Sequence, residues 1–333
     1  MNAFVQAVGE AETTTPDPNG EDFCGFKALG LPSSGTCRPF LWQDGVMTRL
    51  PTLGGDNGVA NQINNLGDAA GAAENAAPDL ACPAPQVLQF KPVVWENRVV
   101  RELPTFGGDT DGVAFAINES GHAVGASGDC STFNSSLLAS LVPLHALLWE
   151  GDKMTDLGNL GGTGHGFGNV ALNLNHKGQV VGQSDLPGDK KNHAFLWTRE
   201  TGMRDLGALP GDFLSVGSGI NDQGDVVGVS VNRSFNARAF LFHDGTMTDL
   251  NTLVPAGSPL YLLLACSIDS SVGIVGVALT GTGEAHGYLA TPSNGATAAQ
   301  GVSSPVVLSG DARMQLRRQL PLGRVAARFT GIR

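Results

Sequence analysis

Short apolar runs alternate with glycine-rich turns along most of the chain, and no segment sustains an apolar period of 3.6 residues. The runs recur in a fixed order. One kind is continuous, as in a strand buried on both faces: Pro39-Phe40-Leu41-Trp42, Pro92-Val93-Val94-Trp95, His145-Ala146-Leu147-Leu148-Trp149 and His193-Ala194-Phe195-Leu196-Trp197. Arg238-Ala239-Phe240-Leu241-Phe242 and His286-Gly287-Tyr288-Leu289-Ala290 complete the series. A short turn follows each, and then a strand of alternating apolar and polar residues, such as Met47-Thr48-Arg49-Leu50 or Met247-Thr248-Asp249-Leu250.

Between these elements lies a recurring hairpin. Asn2, Asn64, Asn118, Asn175, Asn221 and Asp269 each precede a glycine by seven residues, namely Gly9, Gly71, Gly125, Gly182, Gly228 and Gly276. An Asn at the head of a tight turn accepts backbone N–H bonds with its own side chain, and a glycine three residues later takes the positive φ that closes the turn. Val5 and Val272 replace that turn glycine in the first and last copies, so the terminal hairpins are the irregular ones. Four short strands in about 45–60 residues is the size of a propeller blade. The expected fold is therefore all-β, a β-propeller of about six four-stranded blades with the N-terminal blade incomplete.

Counted from the Met-Thr-x-Leu strand, the units fall at about 46–97, 98–150, 152–199, 201–244 and 245–292, with a partial unit at 1–43. A chain opening midway through a unit implies a truncated or misassigned start, with a signal peptide and two strands upstream. Residues 293–333 change character: Ser, Ala and Gly give way to six arginines against one acid. This basic tail is expected to be disordered or to form a short helix around Met314–Leu320.

The 46 glycines and 18 prolines suit a turn-rich β protein. With the tail set aside, residues 1–292 carry 14 basic and 30 acidic side chains, a balance that repels phosphate backbones and argues against nucleic acid as a partner. No apolar run approaches the roughly 20 residues of a transmembrane helix. A monomer is expected.

Of five cysteines, Cys24 and Cys37 flank one irregular connection and suit a loop disulfide. Cys82 and Cys130 occupy the corresponding connections of the next two units, which makes them the next candidate pair. Cys266 lies in an apolar strand and is expected to be a buried free thiol. The loops around Asp56 and around Asp109 and Asp111 hold clustered acids and turn glycines, the raw material of a calcium loop. The equivalent loop at Gly161-Gly162-Thr163-Gly164 has no acid, which favours ordinary turn chemistry, so neither metal nor cofactor is expected. His145, His193 and His286 recur in register, as structural hydrogen bonding or a shared metal would require. Asp156, Asp205 and Asp249 read as turn-supporting residues. No nucleophile elbow, phosphate loop or His-Glu-x-x-His is present.

The units resemble the HAF-type extracellular repeat, named for the tripeptide intact at His193-Ala194-Phe195. The best copy runs through Trp197, Met203-Arg204-Asp205-Leu206-Gly207, Gly219-Ile220-Asn221 and Val226-Val227-Gly228. The resemblance covers residues 1–292, with Pro39, Pro92 and Arg238 standing in the region of the histidine. It implies a secreted bacterial propeller and carries no catalytic motif. The expected role is a secreted, non-enzymatic scaffold that binds a protein, glycan or surface through its loops, which vary in length on a constant frame. The competing roles are a glycoside hydrolase or lyase using gathered carboxylates, and a structural matrix module.

Overall fold

The computed structural model describes residues 1–26, 32–82, 86–130, 144–255 and 257–292; the basic tail lies outside them. The chain is all-β and forms two compact units. The first comprises Met1–Gly158 with Gly168–Ala171. The second comprises Asn159–Phe167 and the described residues from Leu172 onward.

Strands pair with their sequence neighbours in open antiparallel sheets. The first sheet holds β1 (Ala7–Pro16), β2 (Gly35–Gln43) and β3 (Val46–Arg49). The second holds β4 (Gly54–Ile63), β5 (Ala69–Pro78), β6 (Leu88–Glu96) and β7 (Val99–Glu102). The third holds β8 (Asp111–Ile117), β9 (His122–Gly128), β10 (His145–Glu150) and β11 (Lys153–Asp156). Next come β12 (Val170–Leu174), β13 (Val180–Asp185), β14 (Asn192–Thr198) and β15 (Gly202–Gly207). They are followed by β16 (Asp212–Ile220), β17 (Val226–Asn232), β18 (Ala237–His243) and β19 (Thr246–Asp249). One parallel contact, Asn192 with Leu214, joins these two sets. The last sheet holds β20 (Leu260–Ile268), β21 (Ile274–Thr280) and β22 (Ala285–Ala290).

This grouping shifts the unit boundaries expected from sequence. Trp42 pairs with Met47, Trp149 with Met154 and Phe242 with Met247, so the Met-Thr strand closes the preceding sheet instead of opening the next. A tight turn forces that choice, because it leaves the strand no reach to another sheet.

Within each unit the sheets stack, and alternate residues of one strand serve two cores. Ala69, Val93 and Trp95 pack with Leu41 and Leu50 of the first sheet, whereas Ala70 and Val94 pack with Ala114, Leu147 and Trp149 of the third. In the second unit Phe240 and Phe242 face Val181 and Ala194, and Ala239 faces Leu262 and Ile274. Burial on both faces is why the third strand of each sheet reads as a continuous apolar run. Trp95 and Trp149 are buried, and their indole N–H groups donate to Pro51 O and Pro104 O at 2.8 Å; Trp197 is also buried, Trp42 only partly.

All six turns form as expected. The side-chain oxygen of Asn2, Asn64, Asn118, Asn175, Asn221 or Asp269 accepts from the backbone N–H two and four residues on, at 2.8–3.1 Å. Gly67, Gly121, Gly178 and Gly224 take φ of 73–90° at the closing position, and Val5 and Val272 are held at 60° and 62°. A β-branched side chain is strained there.

The asparagines also do what a local turn does not require. Asn2 Nδ2 donates to Asn64 O at 2.8 Å and Asn64 Nδ2 to Asn118 O at 3.0 Å. In the second unit Asn175 Nδ2 donates to Asn221 O at 2.9 Å and Asn221 Nδ2 to Asp269 O at 3.2 Å. Within each unit, each of these turns is thereby bonded to the one that follows it.

The glycine seven residues on answers to a β-bulge. The first strand skips a residue at Asn61, Phe115, Ser218 and Cys266, so two of its residues oppose one on the second strand. The bulge drives a carbonyl toward that strand: a Cβ on Gly71, Gly125, Gly228 or Gly276 would sit 1.9–2.0 Å from Val59, Val113, Val216 or Leu264 O. The same bulge corrects the expectation for Cys266. As the unpaired bulge residue its side chain turns outward, and the thiol is free and exposed.

Candidate functional site

The registers reveal a position that motif reading missed. Arg38, Lys91, His145, His193, Arg238 and His286 stand opposite Ala11, Ala73, Ser127, Ser184, Ser230 and Ala278. Each of these strands therefore carries a basic side chain at the same register position. Pro39 and Pro92 correspond to the alanine of the His-Ala-Phe tripeptide, one residue further on. Counting back four residues from Trp42 and Trp95 was the signal in the sequence.

The acids of the preceding loop decide what each basic group does. Asp109 Oδ2 accepts from His145 Nδ1 at 3.0 Å and from Ser127 Oγ at 2.5 Å. Asp212 Oδ2 accepts from Arg238 at 2.9 Å and from Ser230 Oγ at 2.7 Å. Both serines accept in turn from a loop N–H, Phe106 at 3.1 Å and Leu209 at 3.0 Å. Where Thr163 replaces the acid, His193 pairs with Asp205 at 3.0 Å; burial raises the Asp205 carboxyl, but the bonds from His193 and from Gly207 N together hold it below its usual range. Arg38 pairs with Asp56 at 2.7 Å, Lys91 Nζ donates to Thr110 O, and His286 lies 3.9 Å from Glu284. The three histidines thus have separate carboxylate partners and are not gathered into one ligand group among the described residues.

The calcium candidates also go to other uses. Asp56 and Asp109 are taken as above. Asp111 is fully buried, accepting from Phe90 N at 2.8 Å and Thr110 Oγ1 at 2.6 Å, and burial beside Asp79 pushes its carboxyl up to about 8. Among the described residues the three acids do not converge on one point. Asp79, Cys82 and Cys130 do lie together, but Cys82 and Cys130 are joined in a disulfide, as are Cys24 and Cys37. Asp156, Asp205 and Asp249 accept from the N–H two residues on, supporting turns as expected.

Around Arg238 these elements form a cavity of about 230 Å³, half open to solvent, lined by Asp212, Asn232, Asn236, Arg238, Asp249 and Tyr261, among others. Arg238 spans Asp212 and, at 3.3 Å, Asp249; both raise its proton affinity against the opposing effect of burial. Asn251, bonded to Leu262 N and O at 2.7 and 3.0 Å, fixes Asp249 from behind. Burial and then the field of Asp249 push the Tyr261 phenol up to about 12, so it stays protonated. Asn236 Oδ1 is buried without a partner. The cavity thus offers donors and acceptors on a rigid frame, with one guanidinium between two carboxylates. No family model matches the chain. No curated protein resembles it significantly.

Proposed function

We propose that the protein is a secreted, non-enzymatic β-propeller scaffold of the HAF-repeat type that binds a neutral, hydroxyl-rich ligand such as a glycan in the Arg238 cavity. The observation that carries this reading is the cavity itself. Its volume suits one sugar ring, and Tyr261, Asn232 and Asn236 supply both donors and acceptors beside a charge set already balanced within the protein. Antiparallel sheets built mostly from strands consecutive in sequence, with turns bonded to one another within each unit, support the propeller. Two disulfides support an oxidising compartment. A hydrolase or lyase would need a proton-holding carboxyl in a cleft. The two carboxyls of that kind among the described residues, Glu74 and Asp111, are fully buried, and neither lines the cavity.

A glycan array followed by calorimetry tests the reading. Wild type should bind at least one glycan, and Tyr261→Phe should weaken that binding about tenfold, the worth of one hydrogen bond to the ligand. No binding to any glycan, or binding indifferent to Tyr261→Phe and Asn236→Ala, overturns it.

A further inference from the structure

In the first unit a second cluster of polar groups is sealed from solvent. Asp17, Glu21, Asn57, Glu74 and Gln86 are all buried, Glu74 with no exposed surface. Asn57 Oδ1 accepts from Cys37 N at 2.7 Å, which fixes the amide so that Nδ2 points at three carboxyl oxygens. These are Asp17 Oδ2 at 2.8 Å, Glu74 Oε2 at 3.0 Å and Glu21 Oε2 at 3.2 Å. Two hydrogens cannot serve three charged acceptors. Glu21 and Glu74 share two amide donors, Asn57 Nδ2 and Gln86 Nε2, so the two carboxyls lie side by side. Two ionised carboxylates there would repel, and a single proton between them relieves the repulsion. No lysine, arginine or histidine side chain among the described residues pairs with either. The centre is filled by Asn57 Nδ2, which leaves no place for a cation.

Glu21 belongs to the long connection between β1 and β2, yet its Oε1 accepts from Val87 N at 2.6 Å and Leu88 N at 2.9 Å, where β6 begins. Gln86 Nε2 adds bonds to Glu74 Oε1 at 3.0 Å and Glu21 Oε1 at 3.2 Å. The edge contact of Phe23 with Phe90 lies alongside. Residues 17–23 are thus fastened to the start of β6 chiefly through one carboxyl pair.

We propose that Glu21 and Glu74 form a proton-operated latch, in which one shared proton holds residues 17–23 against the start of β6 and the hold loosens as pH rises. In the closed form the proton sits between the two carboxyls; in the open form both are hydrated and give it to solvent. The groups facing the pair are Glu21 and Asp17 from the connection, Glu74 from β5, and the neutral amides of Asn57 and Gln86. Burial, then Glu21, raise the Glu74 carboxyl from 4.5 to about 8. Between those limits closing takes up a proton, so the opening constant grows about tenfold per pH unit and levels off above pH 8.

Amide hydrogen exchange, corrected for intrinsic rates, tests this at pH 5–9. Protection of Val87 and Leu88 in wild type should fall about tenfold per pH unit up to pH 8 and then level. In Glu74→Gln, which keeps a neutral hydrogen-bonding partner, protection should be independent of pH. Glu21→Gln should bring the levelling point to lower pH, because it removes the neighbouring charge. A flat wild-type profile overturns the latch even if neither variant folds. A slope unchanged in Glu74→Gln also overturns it.

Discussion

Replacing Asn221 with Asp separates the two tasks of the turn asparagine. The carboxylate can still accept from Gln223 N and Asp225 N, so the local turn persists, but the Nδ2 donor is gone. Two bonds are lost. The bond to Asp269 O at 3.2 Å is neutral and contributes about 1 kcal/mol. The bond to the buried Asp225 carboxylate at 2.9 Å is charge-assisted and contributes about 1.5–3 kcal/mol. Asn221→Asp should therefore cost about 3 kcal/mol at pH 7, with repulsion between the new carboxylate and Asp225 adding to the loss. Urea denaturation at pH 7 and pH 4 measures it. The deficit should shrink at the lower pH, where a protonated Asp can donate again. Asp269→Asn is the control: the amide oxygen can still accept from Ser271 N and Gly273 N, and stability should move far less than in Asn221→Asp. An Asn221→Asp protein as stable as wild type would refute the idea that these amides couple neighbouring turns.

Val5→Gly should stabilise by about 0.5–1 kcal/mol in the same assay, since Val5 is strained at φ 60° and its side chain is largely exposed. Opening the Cys82–Cys130 bridge with a double Ser substitution should cost about 4 kcal/mol for a separation of 48 residues, read as a lower urea midpoint under non-reducing conditions, where Cys24–Cys37 stays intact. Global stability should also follow the Glu74 proton. The folded state holds that proton more tightly than the unfolded chain, so its contribution is complete below about pH 4.5 and is lost as pH rises to about 8. The loss is bounded at about 5 kcal/mol, and Glu74→Gln should abolish this component of the pH profile.

What could be read from the chain alone was local. The Asn-to-Gly spacing reports bonds between residues two and four apart, and the Asp at Asp156, Asp205 and Asp249 reports a bond two residues away; both leave their mark in a short window. The boundaries of the sheets were displaced because the Met-Thr strand looks the same whichever partner it takes, and only pairing with Trp42 or Trp149 assigns it. Cys266 sits among leucines and looks buried, since a bulge leaves little composition signal of its own. Glu21 and Glu74 are separated by more than fifty residues, and nothing near either one announces the other. The Arg238 cavity draws Asp212, Asn236, Asp249 and Tyr261 from separate loops and strands. The basic position was hidden by Pro39 and Pro92, which drew attention to the place of the tripeptide rather than to the residue before it.

The bonds between turns all point the same way along the chain, from amide to the following carbonyl, so the array has a head and a tail. Asp269 offers a carbonyl to Asn221 but has no amide hydrogen to pass on. A duplicated unit inserted between two bonded turns, such as those of Asn175 and Asn221, would be coupled on both sides at once, because it would bring its own donor and acceptor. A unit appended after Asp269 would receive nothing until that residue reverted to Asn. The single exchange of an amide for a carboxylate thus marks where growth of the array by duplication stops being cooperative, and Asp269→Asn is the change that would reopen it.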